Sequence, residues 1–171
     1  MGYYVTDFGT CKIVGDRMDL SAKQVTTMKS VFQRIITDIR QNNREQIASQ
    51  GRRSGEPYEP LDYRTWRKKG SGRILYTVGA RPGYTKIGGD ALVRSVTVKG
   101  AAFQIAVTTN EGFEFGTDRP YAYVHQHGST ARNIPARPFL HILPEDVIKW
   151  DGMIEAHLLA PFKNPVNPES K

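Results

Sequence analysis

The sequence predicts an α+β fold: a long N-terminal helix packed on a three- to four-stranded antiparallel sheet, followed by a short helix and a C-terminal helix. Three observations carry this expectation. Apolar residues recur at steps of three, four, three and four from Val25 through Met28, Phe32 and Ile35 to Ile39, the period of one helix face. Beyond residue 72 the apolar period shortens to two, as in half-buried strands. Clusters of glycine and proline separate these segments. With 171 residues, the chain is expected to form a single α+β domain over 1–160, with a long basic loop at 51–72 and a flexible C-terminal tail at 161–171.

Residues 1–18 read as extended, with short strands around Tyr3–Val5 and Lys12–Val14. The helix starts near Ser21, where Asp19 or Ser21 can accept hydrogen bonds from free first-turn amides. It weakens at Asn42-Asn43, resumes through Ile47, and stops at Gly51. The stretch "GRRSGEPYEPLDYRTWRKKGSG" is a long connection with little periodicity beyond a short turn around Leu61–Trp66. "RILYTVG" reads as a strand and "RPGYTKIGGD" as a loop. "ALVRSVTVKG" and "AAFQIAVTTN" read as a hairpin turning at Lys99-Gly100, and "EGFEFGT" as a further strand. Pro120 suits the first turn of a short helix over "YAYVHQH", which Gly128 ends. Pro135 and Pro138 bar helix from "IPARPFL", so it is an extended arm leading into an edge strand "FLHIL". A last helix begins at Pro144, with Glu145 and Asp146 at its positive end and Val147, Trp150, Ile154 and Leu158 on its apolar face.

Composition narrows the function classes. Lys and Arg exceed Asp and Glu by 24 to 17, a formal charge of +7, which favours anionic partners, whether nucleic acid or an acidic protein surface. Much of the excess sits in Arg44, Arg52, Arg53, Arg64, Arg67, Lys68, Lys69 and Arg73. Such a run is either a phosphate-binding arm or a solvated loop. Tyr58, Tyr63 and Trp66 interleave with Arg64 and Arg67, a mixture that stacks bases or anchors a partner protein. No stretch approaches the roughly 20 apolar residues of a membrane helix, and the N-terminus does not read as a secretory signal. The single cysteine, Cys11, reads as a packed thiol.

Chemistry-bearing residues are sparse. His125 and His127 lie two apart, which on a helix points them about 200° apart. A shared metal ion would therefore require a strand. The plainer expectation is that His125 donates to a backbone carbonyl and His127 is solvated. Ser129 lacks a G-x-S-x-G elbow, Cys11 lacks an activating neighbour, and "KIGGDALVRS" lacks the Lys-Ser/Thr ending of a phosphate loop. The expectation is no enzyme, no cofactor and no metal. What remains is a latch: Gly128 turns the chain, the stiff "IPARPF" segment docks at low entropic cost, Arg137 can pair with a carboxylate or carbonyl, and Phe139 is an apolar anchor.

That latch resembles a signature of the tail-completion, or virion morphogenesis, proteins of tailed bacteriophages. The matching residues are Tyr121, Ala122, His125, Gln126 and Gly128, then Ile134, Pro135, Ala136, Arg137, Pro138, Phe139 and Leu140. "GEPYEPL" is similar to the family's G-x-P-W-x-P-L stretch, with Tyr58 where Trp is common. "GGDALVRSV" is similar to its T-G-x-L-x-x-S turn and "FEFGT" to its V-G-T strand end. The likeness runs from about residue 20 to 158. It implies a structural subunit made in the bacterial host cytoplasm and carried in the virion at the head–tail junction. Such subunits look like small α/β proteins that form a closed, sixfold ring with copies of themselves through heterologous contacts. The implied partners are the head-completion or stopper proteins and the tail tube or terminator proteins. The signature residues would then lie at the subunit interface, and Arg52, Arg53, Arg64, Arg67, Lys68 and Lys69 would face a partner or transiently contact packaged DNA. Two other readings remain open: a sequence-independent nucleic-acid-binding protein, and a small hydrolase, which the lack of paired carboxylates disfavours.

Overall fold

The structure, a computed structural model, describes residue 19, residues 22–69, residue 75 and residues 91–163. The strands expected at Tyr3–Val5 and Lys12–Val14, Cys11, nearly all of "RILYTVG", the loop "RPGYTKIGGD" and the chain beyond residue 163 lie outside these residues. The helices are α1 (Lys29–Ala48), α2 (Tyr63–Lys69), α3 (Ala91–Thr97), α4 (Ala122–His127), α5 (Pro144–Leu158) and α6 (Ala160–Lys163). Strands β1 (Gln104–Thr108) and β2 (Phe113–Thr117) form a hairpin, a two-stranded sheet. The fold class is α+β. The described chain divides into two compact units, and the division cuts α1 between Ile35 and Ile36 and also cuts the hairpin near its tip.

The first unit holds the start of α1, the hairpin tip and α5 with α6. Residues 22–25 are helical, but a turn over 26–28 separates them from α1, so the long helix begins at Lys29 and not near Ser21. Consecutive threonines explain the break. The Thr26 and Thr27 hydroxyls donate to the carbonyls of Lys23 and Gln24 at 2.6 and 2.9 Å. The backbone amides of Thr26 and Thr27 bond to those same carbonyls, a tighter winding than an α-helix. Asn110 at the hairpin tip then accepts from the Lys29 amide at 3.2 Å, satisfying one free donor of the new first turn. His157 Nε2 lies 3.1 Å from both Thr27 Oγ1 and the Gln24 carbonyl. Met28, Val31, Ile35 and Trp150 are buried, and the Phe32 ring lies 5.7 Å from that of Phe113. Val25, the expected first member of the stripe, is exposed.

The second unit runs through the rest of α1, residues 49–69, Leu75, α3, most of the hairpin, α4 and the segment to Leu143. Ile47, Tyr58, Leu75, Leu92, Val93, Val96, Ala122 and Phe139 form its core. The α1 helix ends in a left-handed pair, Gln50 and Gly51. A Cβ at position 51 would meet the Glu56 carbonyl at 2.5 Å and the Tyr58 ring at 2.7 Å, so glycine lets the chain fold back and bury Tyr58. Two parts of the expected basic loop are ordered as helices, a 3-10 turn at Arg52–Ser54 and α2. The helix α6 occupies the first residues of the expected tail.

Two expected strands are corrected. "ALVRSVT" is helix α3, where Leu92, Val93 and Val96 share a buried face. Its final carbonyls have tertiary donors. Asn43 Nδ2 donates to Val96, Arg44 Nη2 to Thr97, and Gln104 Nε2 to Ser95 and Val98. Lys99-Gly100 therefore links α3 to β1, and the hairpin turns instead at Thr109–Gly112, where the Thr109 amide donates to the Gly112 carbonyl at 2.9 Å. "FLHIL" is not a strand, because the Phe139 and Leu140 amides donate to the Gln126 side chain instead of a neighbouring strand. Three to four strands thus reduce to two among the described residues. Helix α1 touches the hairpin through Arg40, whose guanidinium lies 5.6 Å from the Phe115 ring centroid and donates to Gln104 at 3.1 Å.

Candidate assembly site around the signature segment

The signature residues converge within the second unit, and most of them hold that unit together. Helix α4 ends at Gly128, whose φ of 78° and ψ of −179° belong to a region that side chains other than hydrogen essentially never occupy. A Cβ there would sit 2.8 Å from the Ala136 nitrogen and 3.0 Å from the Ile134 carbonyl oxygen. Glycine therefore lets α4 lie against the proline-rich arm. Ser129 and Ile134 form an isolated antiparallel bridge, closing a loop around the 3-10 turn Thr130–Arg132.

The arm is then fastened residue by residue. The Arg137 amide donates to the His125 carbonyl at 2.7 Å. Gln126 accepts from the Phe139 and Leu140 amides, both at 3.2 Å, and donates to the Leu140 carbonyl at 2.8 Å. The Pro138 carbonyl accepts from the Tyr58 hydroxyl at 2.9 Å and from Gln46 Nε2 at 3.2 Å. Arg137 is buried, and its guanidinium donates through Nε and Nη2 to the Glu59 carbonyl. Burial pushes the Arg137 pKa down, and the nearby Glu59 charge partly offsets it. Of the two acceptors expected for this side chain, the carbonyl is the one it uses. Ala122 and Phe139 lie in the core.

What the arm leaves open is a groove of about 1120 Å³ between its outer side and the segment Glu59–Thr65. Tyr123, His125 and His127 of α4 line it together with Ile134, Pro135 and Ala136. Tyr123 is 71% exposed and packs on His127, with ring centroids 4.7 Å apart. Tyr121 is exposed and meets His125 edge-on at 5.9 Å. Despite their spacing, His125 and His127 both line this groove, as do Gly128 and Ser129 just past the helix end. Among the described residues, no three of His, Cys, Asp and Glu gather as metal ligands.

The expected basic group is split. Arg52 and Arg53 sit in the 3-10 turn, with Arg53 3.8 Å from Glu45, whereas Arg64, Arg67, Lys68 and Lys69 belong to α2. The residues that sequence reasoning missed are Gln46, Gln104 and Glu59. Gln46 and Gln104 act through side-chain contacts to backbone groups and Glu59 through its own backbone carbonyl, none of which leaves a spacing signal.

A family model for phage virion morphogenesis matches residues 14–159 of the chain. The chain belongs to the phage virion morphogenesis family. No curated protein and no solved structure matches it significantly. As a virion morphogenesis protein it has a role in building the phage particle, and no described helix is long and apolar enough to cross a membrane. In this virion morphogenesis protein the signature reads physically as a latch that fixes α4 to the proline-rich arm and shapes the groove beside it.

Proposed function

We infer that this chain is a structural subunit of the phage neck. It forms a closed, sixfold ring that completes or terminates the tail and joins it to the head. The observation that carries this reading is the family match over residues 14–159, which covers the whole latch. The geometry supports it in a specific way. The latch residues spend their hydrogen bonds internally, so they present a rigid rim whose exposed members, Tyr121, Tyr123 and Ala136, can dock without further ordering cost. In this reading the chain is not an enzyme, and its partners are copies of itself, head-completion or stopper proteins and tail tube or terminator proteins. Its place is the head–tail junction. Electron cryomicroscopy of particles containing the chain tests this. The expected result is a ring of copies between capsid and tail with the exposed rim residues Tyr121, Tyr123 and Ala136 near a neighbouring subunit. Density elsewhere, or absence from intact particles, overturns it.

A second reading, sequence-independent nucleic-acid binding, has one observation in its favour: Arg64 and Arg67 are exposed beside an exposed Tyr63 and Trp66. It predicts duplex-DNA affinity that falls steeply with salt, and a slope that lessens by roughly two when both arginines become glutamine.

A further inference from the structure

Two helical faces of this chain carry opposite charge, and each surrounds exposed apolar side chains. On α2, Tyr63 is 67% and Trp66 51% exposed, and their rings stack with centroids 6.2 Å apart. Arg64 and Arg67 flank this pair and are exposed. Neither forms an ion pair among the described residues. On α5, Trp150 and Asp146 are buried on the inner face. The opposite face carries Ile148, which is 73% exposed, followed by exposed Asp151 and Glu155 at helical spacing. Those two carboxylates also form no ion pair among the described residues.

We propose that the α2 face of one copy docks on the α5 face of the next, with Arg64 and Arg67 pairing with Asp151 and Glu155 while Tyr63 and Trp66 cover Ile148. The spacings agree. The two arginines lie about 4.5 Å apart along their helix axis and the two carboxylates about 6 Å apart, so each set presents two like charges on successive turns. The contact is heterologous, since α2 against α2 would oppose arginine to arginine. A heterologous contact is the kind that generates a ring. Tyrosine, tryptophan and arginine are also the residues that dominate binding energy at protein interfaces. Duplex DNA would pair the arginines with phosphates but fits the face less completely, because its base faces stay stacked inside and leave Tyr63 and Trp66 without a surface to cover. The proposal rests on the ring reading and names its subunit contact.

The test uses full-length chains in two charge-reversed forms, R64E/R67E and D151K/E155K, whose altered positions are all exposed. Circular dichroism and melting first establish that each keeps the wild-type fold. Sedimentation velocity then follows each form alone and in equimolar mixture across a concentration series. The wild type is expected to associate. Each variant alone loses association by roughly 100-fold or more, since like charges then face each other. The mixture restores association, because each reversed face meets its complement in the other variant, and the restored complexes contain the two forms in equal number. If a reversal misfolds, R64Q/R67Q and D151N/E155Q replace it, and each is expected to weaken association.

A wild type that stays monomeric throughout overturns the proposal, as does a mixture that fails to restore association. Reversals without effect on an associating wild type sink this contact but leave the ring reading standing. Conversely, a particle map lacking the chain at the neck sinks the ring reading, while the mixing result still decides the contact. Duplex DNA retention that R64E/R67E abolishes, with self-association intact, assigns α2 to nucleic acid and overturns the proposal.

Discussion

Gln126 concentrates at one side chain what the signature does. Its amide satisfies two backbone donors and one acceptor of the arm, and alanine leaves all three without that partner. Q126A is expected to destabilise the chain by about 2 kcal/mol, measured by chemical unfolding. Gly128 and Gly55 provide an internal comparison. Both have φ near 80°, but a Cβ at Gly128 collides with the Ala136 backbone, whereas nothing lies within 4 Å at Gly55. G55A should cost about 1 kcal/mol for the left-handed backbone alone, and G128A clearly more, with a lower melting temperature. The sequence identified Gly128, the histidines and the prolines as special. It did not reveal that Arg137 would choose a carbonyl, because that acceptor lies far along the chain at Glu59.

Helix α3 shows at the scale of an element how tertiary partners overrule a local pattern. Gln104 makes four hydrogen bonds: its oxygen accepts from Arg40 Nη2 and the Gly100 amide, and its nitrogen donates to the Ser95 and Val98 carbonyls. Q104A is expected to cost about 2–3 kcal/mol and to raise hydrogen exchange first at the end of α3. The segment 56–58 makes a second case. Burial pushes the Tyr58 phenol well above its ordinary value, against a smaller opposing effect from the nearby Gln46 side chain. The raised folded pKa means the phenol contributes stability that is intact below about pH 10 and is lost as pH climbs further, because the unfolded chain ionises first. Chemical unfolding at pH 8 and pH 11 checks this: Y58F should be the less stable form at pH 8, and its deficit should narrow or reverse at pH 11.

At the scale of the whole molecule, the buried apolar cluster around Val96 and Phe139 and the glutamine clamps, among the described residues, belong to the second unit. Its amides around Val93–Val96 and Ile47 are therefore expected to exchange most slowly with deuterium. Truncating Phe139, which is 2% exposed, to alanine should cost about 3–5 kcal/mol and abolish that protection. The net charge of +7 acts at this scale too, favouring anionic partners without specifying the fold.

The α+β class, the reach of α1 to Gly51, the short α4 helix with its Gly128 stop and the α5 start at Pro144 were all legible in the sequence. Each depends on interactions within a few residues: a helical apolar period, a proline at a first turn, a glycine past a last one. The latch segment was legible as a family signature for a comparable reason, since its prolines restrict the local backbone and its glycine permits a turn that other residues cannot make. Only the tertiary structure decided that "ALVRSVT" is a helix, that "FLHIL" is not a strand, and that the buried stripe begins at Met28, just ahead of α1, and not at Val25. In the first two cases the deciding hydrogen bonds come from side chains distant in sequence, Asn43, Arg44 and Gln104 for the helix and Gln126 for the arm. In the third, a pair of threonines tightened the winding and Asn110 restarted it. A short apolar run adopts the backbone whose polar groups it can satisfy, and for these segments the partners become apparent only once the chain has folded.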